Sequence, residues 1–407
     1  MKTTTTADLN QLLTGLITSS EGISDLLFVA GKPPQAEVHG RLGPVASVSE
    51  PMLNSDRIEG LAGAIIDGKQ RLVDDLVKAG SCDCSYSLEG ICRFRVNIYR
   101  QNGNYAMVLR RLSSQIPTME KLRLAPVFHE IIKEKNGLVF VTGGTGSGKT
   151  TTLAALLNEV NQTHEFHVVT LEDPVEFLHP QLKCTFSQRE MGRDFYSFPD
   201  GLRAALRQAP KIILVGEIRD RETMEIALTA GETGHVVYST LHTISAGQTI
   251  NRILGMFSRD EEQQVRERLA GSLRYVVSQR LVPKREGGRM LVTELMGSSL
   301  RSREAMLIGE NENRRFADII ESGVTMGWHS FEQSLIKAYE DDLITDESAM
   351  LYSINKSAMR QRVDAVNKRG KVKGEAHSLK MANTPARPPM PPPMPAPKPP
   401  QAPAAPQ

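Results

Sequence analysis

The octapeptide Gly143-Gly144-Thr145-Gly146-Ser147-Gly148-Lys149-Thr150, set directly behind the apolar run Leu138-Val139-Phe140-Val141-Thr142, limits what this chain can fold into more tightly than any other stretch. Such a sequence works only as strand, tight loop and helix in that order. The glycines let backbone N–H groups converge on phosphate oxygens, Lys149 counters β/γ charge, and the Thr150 hydroxyl can ligate Mg²⁺ where the helix begins. Thr151 and the following Thr152-Leu153-Ala154-Ala155-Leu156-Leu157 continue helically, so the flanks agree with the loop. The segment predicts a Walker A nucleotide site over residues 143–151, with ATP and Mg²⁺ as its ligands.

At 407 residues the chain exceeds one ordinary core, and two folded domains plus an extra segment are expected. From Asn383 onward the sequence is Pro, Ala and Met with little to bury, as in Ala386-Arg387-Pro388-Pro389-Met390-Pro391. That composition predicts a disordered, polyproline-like tail. A basic, solvated linker is expected before it, over residues 356–380. The net charge of +2 gives no electrostatic footprint for nucleic acid, and no nucleic-acid partner is expected. No stretch approaches the roughly twenty apolar residues that span a bilayer. Near the start, Leu9, Leu12, Leu13, Leu16 and Ile17 follow a helical period rather than a signal-peptide core, which predicts a cytoplasmic protein. Cys82, Cys84, Cys92 and Cys184 form no CxxC pair and read as reduced thiols.

The spacing predicts a small α+β domain over residues 1–112: a helix near 7–20, strands at 26–29 and 36–39, a helix over 56–79, then strands at 84–88, 92–99 and 105–109. A polar, proline-bearing stretch marks an interdomain linker at 113–122. From there strands alternate with helices, the sign of a mostly parallel sheet, and an ATPase domain with C-terminal helices is expected over 123–355. Its strands fall at 167–171, 212–215, 236–240 and 289–294, with a long helix over 260–277. Residues 356–407 complete the chain as the basic, then Pro-rich, tail.

Three further constellations carry chemistry. Lys211-Ile212-Ile213-Leu214-Val215-Gly216-Glu217 is an apolar strand ending in a carboxylate, which places Glu217 to organise Mg²⁺ or activate water. Gly216 stands where an Asp usually precedes that Glu, so another acid must help hold the metal. Leu171-Glu172-Asp173-Pro174-Val175-Glu176 supplies it, a strand ending in three acids around a proline. His235 and His242 bracket one strand. Only one end of a parallel sheet carries the ligand crevice, so His242, at the carboxyl end, should reach the γ-phosphate, while the role of His235 stays open.

In this order and spacing, the Walker A loop, the acidic box LEDPVE, the Gly-Glu Walker B strand and the double-histidine box TGHVVYSTLHT resemble the secretion ATPases, the motors of type II secretion and type IV pili. SDLLFVAGKPP, EVHGRL and the FRVN segment look like the PilT/PilU branch, the twitching-motility retraction ATPases. The likeness covers roughly residues 20–350. It implies a PAS-like N-terminal domain, a RecA-like P-loop domain, and a homo-hexamer at the inner face of the cytoplasmic membrane. It further implies an inner-membrane pilus platform protein and a second retraction ATPase as partners. Carried over residue by residue, Glu217 is the catalytic acid, Glu176 the acidic-box carboxylate, and His242 the γ-phosphate sensor. Thr150, Glu176 and Glu217 hold the metal. Arg95 and Arg110 become arginine fingers acting across subunit junctions, with Arg111 the alternative to Arg110. Two departures stand out: Gln208-Ala209-Pro210-Lys211 lacks the usual acids, and Ser299-Leu300-Arg301-Ser302-Arg303-Glu304 replaces the retraction motors' Ala-Ile-Arg-Asn-Leu-Ile helix. Rival readings are a pilus assembly or type II secretion ATPase, an accessory retraction motor, a RecA-like nucleic-acid motor and a non-hydrolysing nucleotide sensor.

Overall fold

The computed structural model describes residues 4–45, 52–113 and 115–369, so the Pro-rich tail expected to be disordered lies outside the described residues. The N-terminal unit opens on α1 (Thr6–Thr18), which a capping box between Thr5 and Asp8 starts and whose Leu9, Leu12, Leu13, Leu16 and Ile17 are all buried. There follow β1 (Ile23–Phe28), β2 (Gln35–Val38), β3 (Arg41–Pro44), α2 (Ser55–Ile66), α3 (Gln70–Lys78), β4 (Ser81–Leu88), β5 (Cys92–Gln101) and β6 (Asn104–Leu112). Among the described residues these strands form one sheet in the order β3-β2-β1-β6-β5-β4. The single helix expected over 56–79 is two helices, because Asp67 and Gly68 adopt positive φ and stop α2. On β5, Phe94, Val96 and Ile98 are buried while Arg93, Arg95 and Asn97 alternate onto the other face. Burial pushes the Cys82 thiol up to about 11 and the Cys84 thiol up to about 12, keeping both protonated at neutral pH.

The second unit contains α4 (Phe128–Ile131), β7 (Gly137–Thr142), α5 (Lys149–Thr163), β8 (His167–Glu172), β9 (Thr185–Glu190), α6 (Phe198–Ala205), β10 (Ile212–Val215), α7 (Arg221–Glu232), β11 (Val236–Leu241), α8 (Ala246–Leu254) and α9 (Glu262–Ser272). It continues through β12 (Leu273–Pro283), β13 (Arg289–Gly297), α10 (Leu300–Ile308) and α11 (Phe316–Ser322). Among the described residues its sheet runs β13-β12-β7-β11-β10-β8-β9, parallel except for β13. Strands covered by helices on both faces read as unbroken apolar runs, and β7, β10 and β11 are buried at every position.

Two expectations fail here. The helix predicted over 260–277 stops at Ser272, and Leu273–Pro283 is a central strand hydrogen-bonded to β7 and β13. Its apolar Val276-Val277 core suits a buried strand as well as a buried helix, and pairing on both edges decides for the strand. The basic stretch expected to be unstructured from residue 356 is also ordered in part. After α12 (Phe331–Glu340) and α13 (Asp346–Tyr352), α14 (Lys356–Lys368) is capped by the side chain of Asn355 and buries Met359, Val363 and Val366. These three pack with Phe331, Leu335, Val282 and Val292 in a separate small core. A basic helix face and an apolar stripe coexist at helical spacing, which composition alone hides.

Candidate active site

The sheet order β7-β11-β10-β8 sets four parallel strand ends side by side, so motifs spread from residue 143 to residue 242 meet at one carboxyl edge. Gly143 donates its N–H to Leu241 O at 3.3 Å, immediately before His242. Gly143 has φ +150°, and a Cβ there would lie 2.5 Å from Ser147 Oγ and 2.6 Å from Gln279 O. Only glycine fits that approach. Gln279 braces the loop from β12 by donating to Ser147 O at 2.8 Å. Gly148, with φ +88°, begins α5 without a side-chain cap, which leaves the first helical N–H groups for an anion.

Arg95, Thr145, Gly146, Lys149, Thr150, Glu176, Glu217 and His242 line one cavity of about 350 Å³, together with Glu172, Asp173 and Arg219. The remaining loop residues Gly143, Gly144, Ser147 and Gly148, and Thr151 in the first turn of α5, shape the site without lining that space. Lys149 Nζ donates to Gly143 O at 2.9 Å and Gly144 O at 3.1 Å. Burial lowers its pKa, and the nearby Glu176 opposes that effect. Glu217 Oε2 sits 3.2 Å from His242 Nε2, and its Oε1 contacts the exposed Arg219 guanidinium. Burial first, then Lys149 and Arg219, hold the His242 pKa below the usual imidazole value. That shift favours the neutral ring, with Nε2 within hydrogen-bond distance of the Glu217 carboxyl.

Glu172 is buried at the end of β8, accepting from Thr170 Oγ1 at 2.7 Å and from Gln188 at 3.4 Å. Burial pushes its pKa up to about 7 against those hydrogen bonds. Burial also raises Asp173, with Arg95 the leading opposing charge. Among the described residues no three His, Cys, Asp or Glu converge into a protein-only metal cage. Mg²⁺ needs none, since it is held by one or two carboxylates, a hydroxyl and substrate phosphates. The oxygen donors of Thr150, Glu176 and Glu217 on this cavity suit that hard cation.

Arg95, a finger by the family resemblance, lines the same cavity as Thr145, Gly146 and Lys149 of its own chain. Arg110 stands directly opposite Arg95 across β5 and β6 but does not line the cavity, because its Nε is held by Asp25 Oδ1 at 2.8 Å. Arg111 pairs with Phe94 on the alternate face and lies against Cys92. His235 sits at the far end of β11 with Nδ1 3.2 Å from Ala230 O, a local packing contact.

A phosphate loop on a mostly parallel sheet, with a strand-end carboxylate and a neutral histidine facing it, defines a P-loop ATPase. Residues 87–330 match the model of the type II/IV secretion system protein family, and the chain belongs to that family. It is similar to the type IV pilus retractation ATPase PilT of Pseudomonas aeruginosa, with 41% identity over 342 residues, 84% of this chain and 97% of that protein. The type IV pilus ATPase PilU of the same organism is 36% identical over 84% of this chain and 87% of its own length. A solved structure of the pilus retraction motor PilT with bound ADP superimposes with a TM-score of 0.78 at 38% identity, covering 86% of this chain and 98% of that one.

Proposed function

We propose that this chain powers type IV pilus retraction by ATP hydrolysis, working as a homo-hexamer on an inner-membrane platform protein at the cytoplasmic face of the membrane. The observation that carries this reading is Arg95 of the N-terminal unit lining the cavity of the phosphate loop, Glu217 and His242, in a chain that matches a retraction ATPase over nearly its whole length. Backbone N–H groups of residues 143–149 bind the phosphates, and Lys149 leaves its carbonyl contacts to neutralise β/γ charge. Thr150, Glu176 and Glu217 would hold Mg²⁺, which when bound would draw charge from the transferring phosphoryl group. Glu217 orients the attacking water and takes its proton, while neutral His242 positions that carboxylate and reads the γ-phosphate. Arg95 stabilises the transition-state charge only when the two units are docked. Turnover thus depends on interdomain geometry, the requirement for converting hydrolysis into motion.

A second reading, an accessory motor paired with another retraction ATPase, is favoured by the PilU similarity and by α10, which exposes Leu300 and Ile308 in place of the retraction motors' usual helix. Deletion of the gene, scored for surface pili and twitching, tests both. More pili with no twitching supports an autonomous retraction motor, and a partial defect that a second ATPase gene relieves supports the accessory. Loss of pili contradicts both readings and points to assembly.

A further inference from the structure

We infer that Arg93 and Glu190 form a docking latch that sets the position of the acidic box, so that Glu176 is placed for catalysis only while the N-terminal unit is seated. The inference rests on the ATPase reading above. Glu190, the last residue of β9, is 8% exposed and bonds to both units at once. Its Oε1 accepts from Ser85 Oγ of β4 at 2.6 Å. Its Oε2 accepts from Val175 N–H at 3.2 Å and from Arg93 Nη2 of β5 at 3.4 Å. Arg93 in turn donates Nη1 to Val175 O at 2.9 Å. Both backbone polar groups of Val175, the residue between Pro174 and Glu176, are therefore held by this one pair. Neither Arg93 nor Glu190 lines the nucleotide cavity, so both act through the residues they hold.

The arrangement links two events. Arg93 and Arg95 are two residues apart on one strand and share a face, so any movement of β5 that withdraws Arg95 from the phosphate loop also withdraws Arg93 from Val175. Undocking then leaves the Val175 carbonyl unpaired and Glu190 without its cation and its Ser85 hydroxyl. The Arg93 and Glu190 side chains are only 16% and 10% exposed, and desolvated partners of this kind are costly to separate. Arg71 adds a second seam, since a Cβ on Gly192 would lie 2.3 Å from its guanidinium carbon. Arg93 and Glu190 are positioning residues. Their contribution should appear in the chemical step more than in nucleotide affinity, because the phosphate loop itself makes no contact with them.

The test compares full-length wild type with Glu190→Gln, Arg93→Ala, Arg93→Lys and Ser85→Ala. The readouts are steady-state ATPase with Mg²⁺, affinity for a fluorescent ADP analogue, and the nucleotide-dependent distance between dyes on the two units. Glu190→Gln and Arg93→Ala should lower kcat by about 10- to 100-fold, the scale of a catalytic group misplaced by about an ångström, with affinity changed by less than about 3-fold. Both should lose the nucleotide-dependent distance change. Arg93→Lys should recover part of kcat, and Ser85→Ala, which removes one hydroxyl, should fold normally and lose about 3-fold. Unchanged kcat in folded Ser85→Ala and Glu190→Gln would overturn the latch, as would kcat and affinity falling in equal proportion. Failure of wild type to hydrolyse ATP in the same assay would instead overturn the ATPase reading.

Discussion

Replacing Glu294 with Gln should make the ATPase domain more tolerant of alkaline pH, by an amount that follows from its surroundings. Glu294, on β13, is 5% exposed and accepts the N–H of Ala246, the first residue of α8, at 2.9 Å. Burial raises its carboxyl pKa to about 7, with Glu332 adding to the rise while the Ala246 N–H and Arg280 oppose it. In the unfolded chain it returns to the ordinary value of 4.5. Between those values the folded state holds a proton that the unfolded state has lost, so stability falls as pH rises and levels off above about 7. At about 1.4 kcal/mol per pH unit, the wild type should lose roughly 2–3 kcal/mol from this group between about pH 5 and pH 8. Gln keeps the shape and the acceptor for Ala246 but cannot titrate. Its cost from a buried NH₂ is the same at every pH. The assay is urea unfolding followed by Trp328, the only tryptophan of the chain, buried in the same core. Variant and wild-type stabilities plotted against pH should diverge by about that amount, because groups that do not interact with residue 294 cancel in the difference. Curves parallel within about 0.5 kcal/mol would refute the reasoning.

Glu217→Gln should leave nucleotide affinity near wild type and lower turnover by several orders of magnitude, measured by analogue titration and phosphate release, since it removes the proton acceptor and spares the phosphate cradle. If Arg95 serves its own chain, rings mixed from Arg95→Ala and Glu217→Ala subunits should stay inactive, with subunit exchange verified by native mass spectrometry; recovered turnover would place the finger at a neighbour's site. Ending the chain at Asn355 should destabilise the small C-terminal core by several kcal/mol, from the lost burial of Met359, Val363 and Val366 at about 1.5–3 kcal/mol each. A chain ending at Arg369 keeps those contacts and should melt with the full-length protein.

The motif chemistry was legible because it lies in local sequence. Val215-Gly216-Glu217 and Leu241-His242 each end a strand, and one parallel sheet is enough to bring those ends together. The alternation in Phe94-Arg95-Val96-Asn97 likewise tells which side chains leave the core. What escaped depends on partners distant in sequence. Nothing local to either residue shows that Arg110 pairs with Asp25, 85 residues away, or that Glu190 meets Ser85 and Arg93. Arg219 lies two residues beyond Glu217, a position from which a loop turn decides whether it reaches the cavity. The first residues of β12 read as helix because Leu273-Arg274-Tyr275-Val276-Val277 continues an apolar run past Gly271, and pairing with β7 and β13 makes them strand.

The central claim is that hydrolysis at this site drives fibre shortening rather than growth. The most direct measurement is time-lapse imaging of fluorescently labelled pili in cells whose chromosomal copy carries Glu217→Gln. Normal extension with retraction abolished or slowed at least about tenfold is the predicted result. Loss of extension with retraction intact would contradict it.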